Sequence, residues 1–305
     1  YTHYFYQPLQ FSSTGGIGVM ELPQPKPQRH GDEASVGVDL RHGVNEWFAY
    51  NVGLHGSIFH SNQLFFGCDP RITFQFTPAE NHEISLHAGS YTQFFHKAGL
   101  TGGGLPTDFF MLADSTLQAE RAIGTSVRYS ASFFNKKWTL QAEGYFKQLY
   151  GVVESLGNIV QLINQGFDYE KYLITGAGRN YGLNLMLQRN NGIITGYISY
   201  SLGWAKRKLP ALDGSQEYIY SASHERRHDL NIVLNARFAK RWTVGGQFVL
   251  ASGLPYTKAE EAYILNGNMI CRYSTFNGAH MPLYNRLDLS CSCDIIKTQD
   301  HELGI

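Results

Sequence analysis

The stretch RNYGLNLMLQRNNGIITGYISYSLGWAK, residues 179–206, decides the fold. Tyr181, Leu183, Leu185 and Leu187 occupy every second position, with Asn180, Gly182, Asn184, Met186 and Gln188 between and beside them. Asn190-Asn191-Gly192 then supplies residues that tolerate the positive φ of a tight turn. On the return, Ile194, Ile198, Tyr200, Leu202 and Trp204 alternate with Thr195, Tyr197, Ser199, Ser201 and Gly203. Side chains on a strand point to opposite faces with period two, so each run has one apolar and one polar face. The spacing predicts two antiparallel strands in a hairpin, and the same pattern recurs along the whole chain.

Composition fits a sheet that does not lie wholly in water. Charged residues make up 16% of the 305, against roughly 25% in ordinary soluble domains, while 14% are aromatic and 32 are Gly. The formal net charge is zero, which removes the basic footprint of a nucleic-acid binder. No apolar run is long enough for a transmembrane helix. Tyr1–Phe11 lacks the basic start and small-residue cleavage site of a signal peptide, so the natural start is expected upstream. Cys68, Cys271, Cys291 and Cys293 lack zinc-finger spacing and read as small apolar residues.

Further strands are expected over Glu33–Arg41, Trp47–Phe59, Arg71–Thr77, His82–Phe95, Glu120–Phe134, Trp138–Lys147, Arg227–Phe238, Trp242–Ala251 and Arg286–Ile296. Tyr1–Phe11 and His301–Ile305 carry partial strands. Loops are expected over Ser12–Gly31, between Phe59 and Arg71, over Phe95–Ala119, between Lys147 and the organising hairpin, and over Arg207–Arg226 and Ser252–Tyr284. Short polar turns thus alternate with long connections. A soluble sandwich has mostly short connections at both ends, whereas a meander with turns at one end and loops at the other describes an outer-membrane barrel. About ten residues at ~3.3 Å, tilted near 45°, span roughly 23 Å, the height of that membrane's apolar band. Arg128, Glu143, Lys147, Asp229, Arg237 and Asp288 fall mid-strand on the polar face, as a wet lumen requires. Trp138, Tyr200, Trp204 and Trp242 fall near strand ends on the apolar face, where aromatic girdles belong.

Few motifs carry chemistry. His224-Glu225-Arg226-Arg227-His228 matches H-E-x-x-H, which binds zinc when a helix sets both histidines on one face. Here it runs into a period-two strand, where residues four apart stand about 13 Å from each other. A zinc-dependent hydrolase through His224, Glu225 and His228 is therefore the distant alternative, and neither catalytic nor metal residues nor a cofactor are assigned. Gly102-Gly103-Gly104 lacks the Lys-Ser/Thr of a phosphate loop. His55 and His87 fall on polar faces and read as lumen residues. Tyr169, Tyr172, Tyr218, Tyr220, Tyr256, Tyr263, Tyr273 and Phe276 lie in the long loops, where aromatics either stack on a ligand or pack the loops together.

Several separate segments resemble one family. PRITFQF (70–76), HAGSYTQFFH (87–96), LPTDFF (105–110), GYISYSLGWAKR (196–207), RRHDL (226–230) and MPLYNRLDLS (281–290) are similar, in order and spacing, to the barrel of TonB-dependent receptors from Bacteroidetes. The resemblance implies an all-β fold: an antiparallel transmembrane β-barrel fragment, about 11–13 meandering strands of about 22, with short periplasmic turns and long extracellular loops. Residues 1–305 would then be a partial barrel, the plug domain and final strands lying outside it. It further implies TonB-energised uptake of a siderophore, cobalamin-like cofactor or oligosaccharide across the bacterial outer membrane. A passive porin-like channel is the nearer alternative. Implied partners are outer-membrane lipid, the TonB complex acting through the missing N-terminal region, the ligand, and in some relatives a surface lipoprotein. Candidate ligand contacts in the upper lumen and loops are Tyr91, Gln93, Arg128, Lys147, Tyr218, Tyr220 and Tyr256.

Overall fold

The computed structural model describes residues 1–6, 29–98, 109–155, 173–210, 217–238, 241–265, 268–297 and 302–304. The loop expected over Ser12–Gly31, the glycines 102–104, and Tyr169 and Tyr172 lie wholly or mainly outside these residues. Among the described residues all the regular structure is strand. One large antiparallel sheet contains β1 (Thr2–Tyr6), β2 (Arg29–Gly43), β3 (Phe48–His60), β4 (Leu64–Ala79), β5 (His82–Gln93), β8 (Glu120–Phe133), β9 (Trp138–Ser155) and β10 (Leu173–Arg189). It continues through β11 (Ile194–Pro210), β13 (His228–Phe238), β14 (Trp242–Ala251), β19 (Tyr284–Lys297) and β20 (Glu302–Gly304), in that order, with β12 (Glu217–Ser221) beside β11. The long connections carry small hairpins of their own: β6 (Phe95–Ala98) with β7 (Phe109–Leu112), β15 (Pro255–Tyr256) with β18 (Ala279–His280), and β16 (Ala259–Leu265) with β17 (Asn268–Tyr273).

The organising hairpin forms as read, pairing Leu183 with Leu202 and Leu185 with Tyr200 across the two strands. Gly192 takes φ +122° in the turn, a conformation that residues with a Cβ rarely adopt.

The apolar face is the exposed one. Leu185, Ile198 and Leu234 are 38%, 43% and 47% exposed, and Val36, Val38 and Leu289 exceed two thirds. A water-soluble sandwich would bury them; a wall facing lipid leaves them outside. Two aromatic belts bound this face. Phe146, Tyr181 and Trp204 share one rung across β9, β10 and β11, and the Tyr181 and Trp204 rings stack at 5.2 Å. Toward the short turns, Phe133 pairs with Trp138 and Phe238 with Trp242. Eight residues of β10 separate Tyr181 from the rung of Trp138, roughly 19–22 Å along the normal at a tilt of 35–45°.

Two expectations are corrected. The loop expected between Phe59 and Arg71 is a turn of residues 61–63, and β4 begins at Leu64. Alternation fails there because both faces are apolar: Phe65 points inward into a cluster with Phe59, Phe94, Leu112 and Ala113. Pro70 stands at the margin of the ladder to β5, whose register begins at Arg71. Long and short connections therefore do not alternate without exception. Similarly, β9 runs to Ser155, well past Lys147. A bulge at Gly151 (φ +69°) opposite Gly176 and Ala177 slips the period by one residue and hides the continuation.

Candidate functional site

The polar face lines a cavity of about 810 Å³ on the inner side of β4, β5, β8, β9, β10 and β11. Arg128, Glu143, Tyr145, Lys147, Asn184 and Asp229 lie on its wall because each occupies the polar phase of its strand. Cross-strand register brings them together: Arg128 stands opposite Glu143, and Glu143 opposite Asn184. The Arg128 guanidinium reaches the Glu143 carboxylate at 3.4 Å. Lys147 stands opposite Gly124, whose missing side chain leaves room for the lysine stem.

Polar groups on the wall brace one another. The Tyr91 hydroxyl lies 2.6 Å from His87 Nε2, and His87 Nδ1 lies 3.0 Å from the Thr73 hydroxyl. Elsewhere on the same face, Arg71 donates two hydrogen bonds to Asp39, at 3.0 and 2.6 Å, across Gly53. At the upper end, buried Arg207 donates to Asn180 Oδ1 at 2.9 Å and lies 3.9 Å from Glu154. The surface thus offers cations, carboxylates, hydroxyls and amides held by mutual contacts, an arrangement suited to grasping a polar ligand through several weak bonds.

The candidate contacts separate into two groups. Tyr91, Arg128 and Lys147 line the cavity together. Gln93 instead donates to the Phe95 carbonyl at 2.7 Å and is not on the cavity wall. Tyr218 and Tyr220 lie on β12, and Tyr256 on β15; none borders the cavity. Tyr220 meets Phe276 edge-on at 4.9 Å, and Asn277 donates to the Ser221 carbonyl, so these aromatics pack one connection against another. Tyr145 and Arg226 also line the wall, as does His224, which the sequence marks only as part of H-E-x-x-H. For Tyr145 the signal was its phase, two residues from both Glu143 and Lys147.

H-E-x-x-H has a different role. Between β12 and β13 the chain leaves β11, so the Ala205 N–H has no strand to pair with. Glu225 fills the gap: its Oε2 accepts that N–H at 2.8 Å, and its Oε1 accepts from Arg227 at 3.0 Å and Ser221 at 3.1 Å. Its carboxylate is 2% exposed, yet these donors, with Lys206 nearby, outweigh the cost of burial and hold its pKa below the ordinary range. His224 lines the cavity, whereas His228 pairs with Leu202 and meets the Tyr200 ring on the outer face. The two histidines serve opposite sides of the sheet. Among the described residues no three His, Cys, Asp or Glu converge to hold a metal.

No protein-family model matches the sequence, and no curated protein matches it. Solved structures do. The ferripyoverdine receptor of the outer membrane of Pseudomonas aeruginosa superposes with a TM-score of 0.59 at 10% identity, over 92% of this chain and 35% of that one. The FrpB iron transporter of Neisseria meningitidis gives 0.58 at 12% identity, over 88% and 38%. The ferric-catecholate import receptor Fiu of E. coli K12 gives 0.58 at 11%, over 88% and 39%. The chain spans little more than a third of the length of these proteins. At such identities the likeness concerns the fold alone: the large antiparallel sheet of this chain matches part of the barrel of those structures.

Proposed function

We propose that this chain is part of the barrel of a TonB-dependent receptor of the Bacteroidetes type, which takes up a scarce polar nutrient across the outer membrane. The observation that carries this reading is the cavity wall where Tyr91, Arg128 and Lys147 converge, on a sheet whose opposite face is apolar. The ligand enters at the mouth formed by the long connections and exchanges its water shell for the fixed polar groups of the wall. Charged hydrogen bonds of this kind contribute about 1.5–3 kcal/mol each. A plug outside residues 1–305 would close the lumen, and its displacement by the energised TonB complex would release the ligand inward. The likeness to receptors named for ferripyoverdine and ferric catecholates favours a ferric siderophore over cobalamin or an oligosaccharide.

The complete receptor that carries this chain is to be offered a panel of ferric hydroxamates and ferric catecholates, with cobalamin and oligosaccharides as comparison. One ferric class is expected to be taken up, and an uncoupler of the proton-motive force is expected to stop it. Arg128→Ala and Lys147→Ala are each expected to weaken binding of that class about tenfold or more, as the loss of one charged hydrogen bond predicts. Uptake indifferent to the uncoupler, and to both substitutions, would leave a passive channel instead.

A further inference from the structure

The connection between β5 and β8 is tied down on the inner side of the sheet. Residues 94–98 and 109–118 form a strap pinned at several points. Phe94 stacks on Phe59 of β3 at 5.0 Å, and Arg29 of β2 donates to Asp114 at 2.6 Å. The Ser61 hydroxyl donates to the Ala113 carbonyl at 2.6 Å, and the Asn62 amide to the Ser115 hydroxyl at 3.0 Å. On the far side, Met111, Asp114, Thr116 and Leu117 share a pocket of about 140 Å³ with Leu173 and Thr175 of β10. The strap thus reaches from β2 to β10, and most strands of the cavity wall lie between those two. It starts three residues beyond Tyr91, which lines the cavity. Burial, then the charges of Arg207 and of Lys97 on β6, lower the pKa of His224, another cavity residue, which sets the strap at the cavity's edge.

One imidazole sits inside this strap. His96 of β6 is 1% exposed, and its Nε2 lies 2.8 Å from the Gln118 carbonyl. A carbonyl only accepts, so Nε2 carries the hydrogen and Nδ1 the lone pair. Nδ1 is buried and has no hydrogen-bond partner. A second proton would arrive there, making a buried cation whose new N–H meets no acceptor. Asp114 is the carboxylate that acts on this imidazole, but its oxygens are occupied: Oδ2 by Arg29, and Oδ1 by the N–H groups of Thr116 and Leu117 at 2.8 and 2.9 Å. From the wall, β9 packs against β6 and brings Glu154, which lies 3.9 Å from Arg207 of β11; Glu120, at the head of β8, also feels Arg207. Lys97, next in sequence, adds a like charge. Burial accordingly lowers the His96 pKa by more than the Gln118 carbonyl and Asp114 raise it.

We propose that the strap is a proton-operated latch over the cavity mouth: a neutral His96 holds it shut, and a proton on Nδ1 frees it and opens the way to the cavity. That the latch admits a nutrient rests on the uptake reading above; that it opens with a proton does not. The complete receptor in detergent is followed by hydrogen exchange at pH 7.5 and 5.5, with rates corrected for intrinsic chemistry. An imidazole that titrates near 6.5 when the strap is open, and stays neutral when it is shut, raises the opening equilibrium about tenfold between those two values. Residues 94–98 and 109–117 are expected to lose protection by that factor, while β8 to β11 keep theirs. His96→Gln keeps a donor for the Gln118 carbonyl and cannot take the proton, so its strap is expected to be equally protected at both values. Should that variant leave the strap unprotected throughout, the unmodified protein decides alone, by a slope that approaches one proton per opening below pH 6. Protection indifferent to pH, a slope without that proton, or a tenfold loss retained in His96→Gln overturns the proposal. Uptake of the ferric class accepted from the panel above is then compared as the ratio of unmodified receptor to His96→Gln, so that the proton-motive force cancels. The ratio is expected to rise at pH 5.5; a constant ratio overturns the gating. If no ferric compound is taken up, the exchange result still decides the latch, and the uptake reading alone falls.

Discussion

Glu225 shows how one side chain can stand in for a missing strand. Its carboxylate occupies the place where a backbone carbonyl would have accepted the Ala205 N–H, and it collects Arg227, Lys206 and Ser221 around itself. Glu225→Gln keeps an acceptor but turns an amide donor toward three other donors, so a loss of about 1–3 kcal/mol is expected. Chemical unfolding in detergent, followed by tryptophan fluorescence, measures it. Because the folded carboxyl has a lowered pKa, its contribution is complete above the unfolded glutamate range near 4.5 and fades as pH falls through the folded value. The unmodified protein should therefore lose stability on acidification below about 4.5, and the Gln variant should lack that component. His96 has the same sign for a different reason: buried and 2.8 Å from the Gln118 carbonyl, its imidazole is kept neutral by burial, and folding resists its protonation as pH drops below 6.5.

At the scale of elements, the β6–β7 hairpin folds back over the inner wall instead of standing clear of it. Phe94, just before β6, stacks on Phe59 of β3 at 5.0 Å with the rings 5° from parallel, and Arg29 pairs with Asp114 at 2.6 Å. Inward-facing phenylalanines at the top of β3 and β4 exist to receive this hairpin. Removing Phe94 as Phe94→Ala leaves a void in a small cluster, at a cost of about 3–5 kcal/mol if the site does not collapse. The loss should be local: hydrogen exchange over β6 and β7 is expected to speed up, while the ladder from β8 to β11 keeps its protection. Uniform acceleration across the sheet would show that the hairpin is part of the wall's own stability.

For the whole molecule, the governing fact is that the greasy face is the outer one. Arg is expected to be tolerated poorly there and well inside. Leu185→Arg, midway between the two belts, should cost about 2–4 kcal/mol for folding into lipid vesicles. Asn184→Arg, one residue away on the cavity wall, should cost less than 1 kcal/mol; equal penalties for the two would contradict the assignment of faces. Much of this was legible in the order of residues. Period two separated Leu185 from Asn184, marked the turns at Asn190–Gly192 and Asn135–Lys137, and placed Tyr91, Arg128 and Lys147 in one phase, because strand geometry converts spacing directly into side. What spacing could not reveal was anything that depended on a distant partner. Leu64–Pro70 lost its alternation because Phe65 is covered by a hairpin some 30 residues on, and the upper half of β9 was masked by one bulged residue. Glu225 had the spacing of a metalloprotease and the role of a ladder cap, since only the gap between β12 and β13 makes its carboxylate necessary. The sequence alone determined which side of each strand is oily and where the chain turns; the tertiary structure decided which polar residues meet across the cavity and where Glu225 must cap the β11 ladder, because register between strands is settled by pairing and not by the period within them.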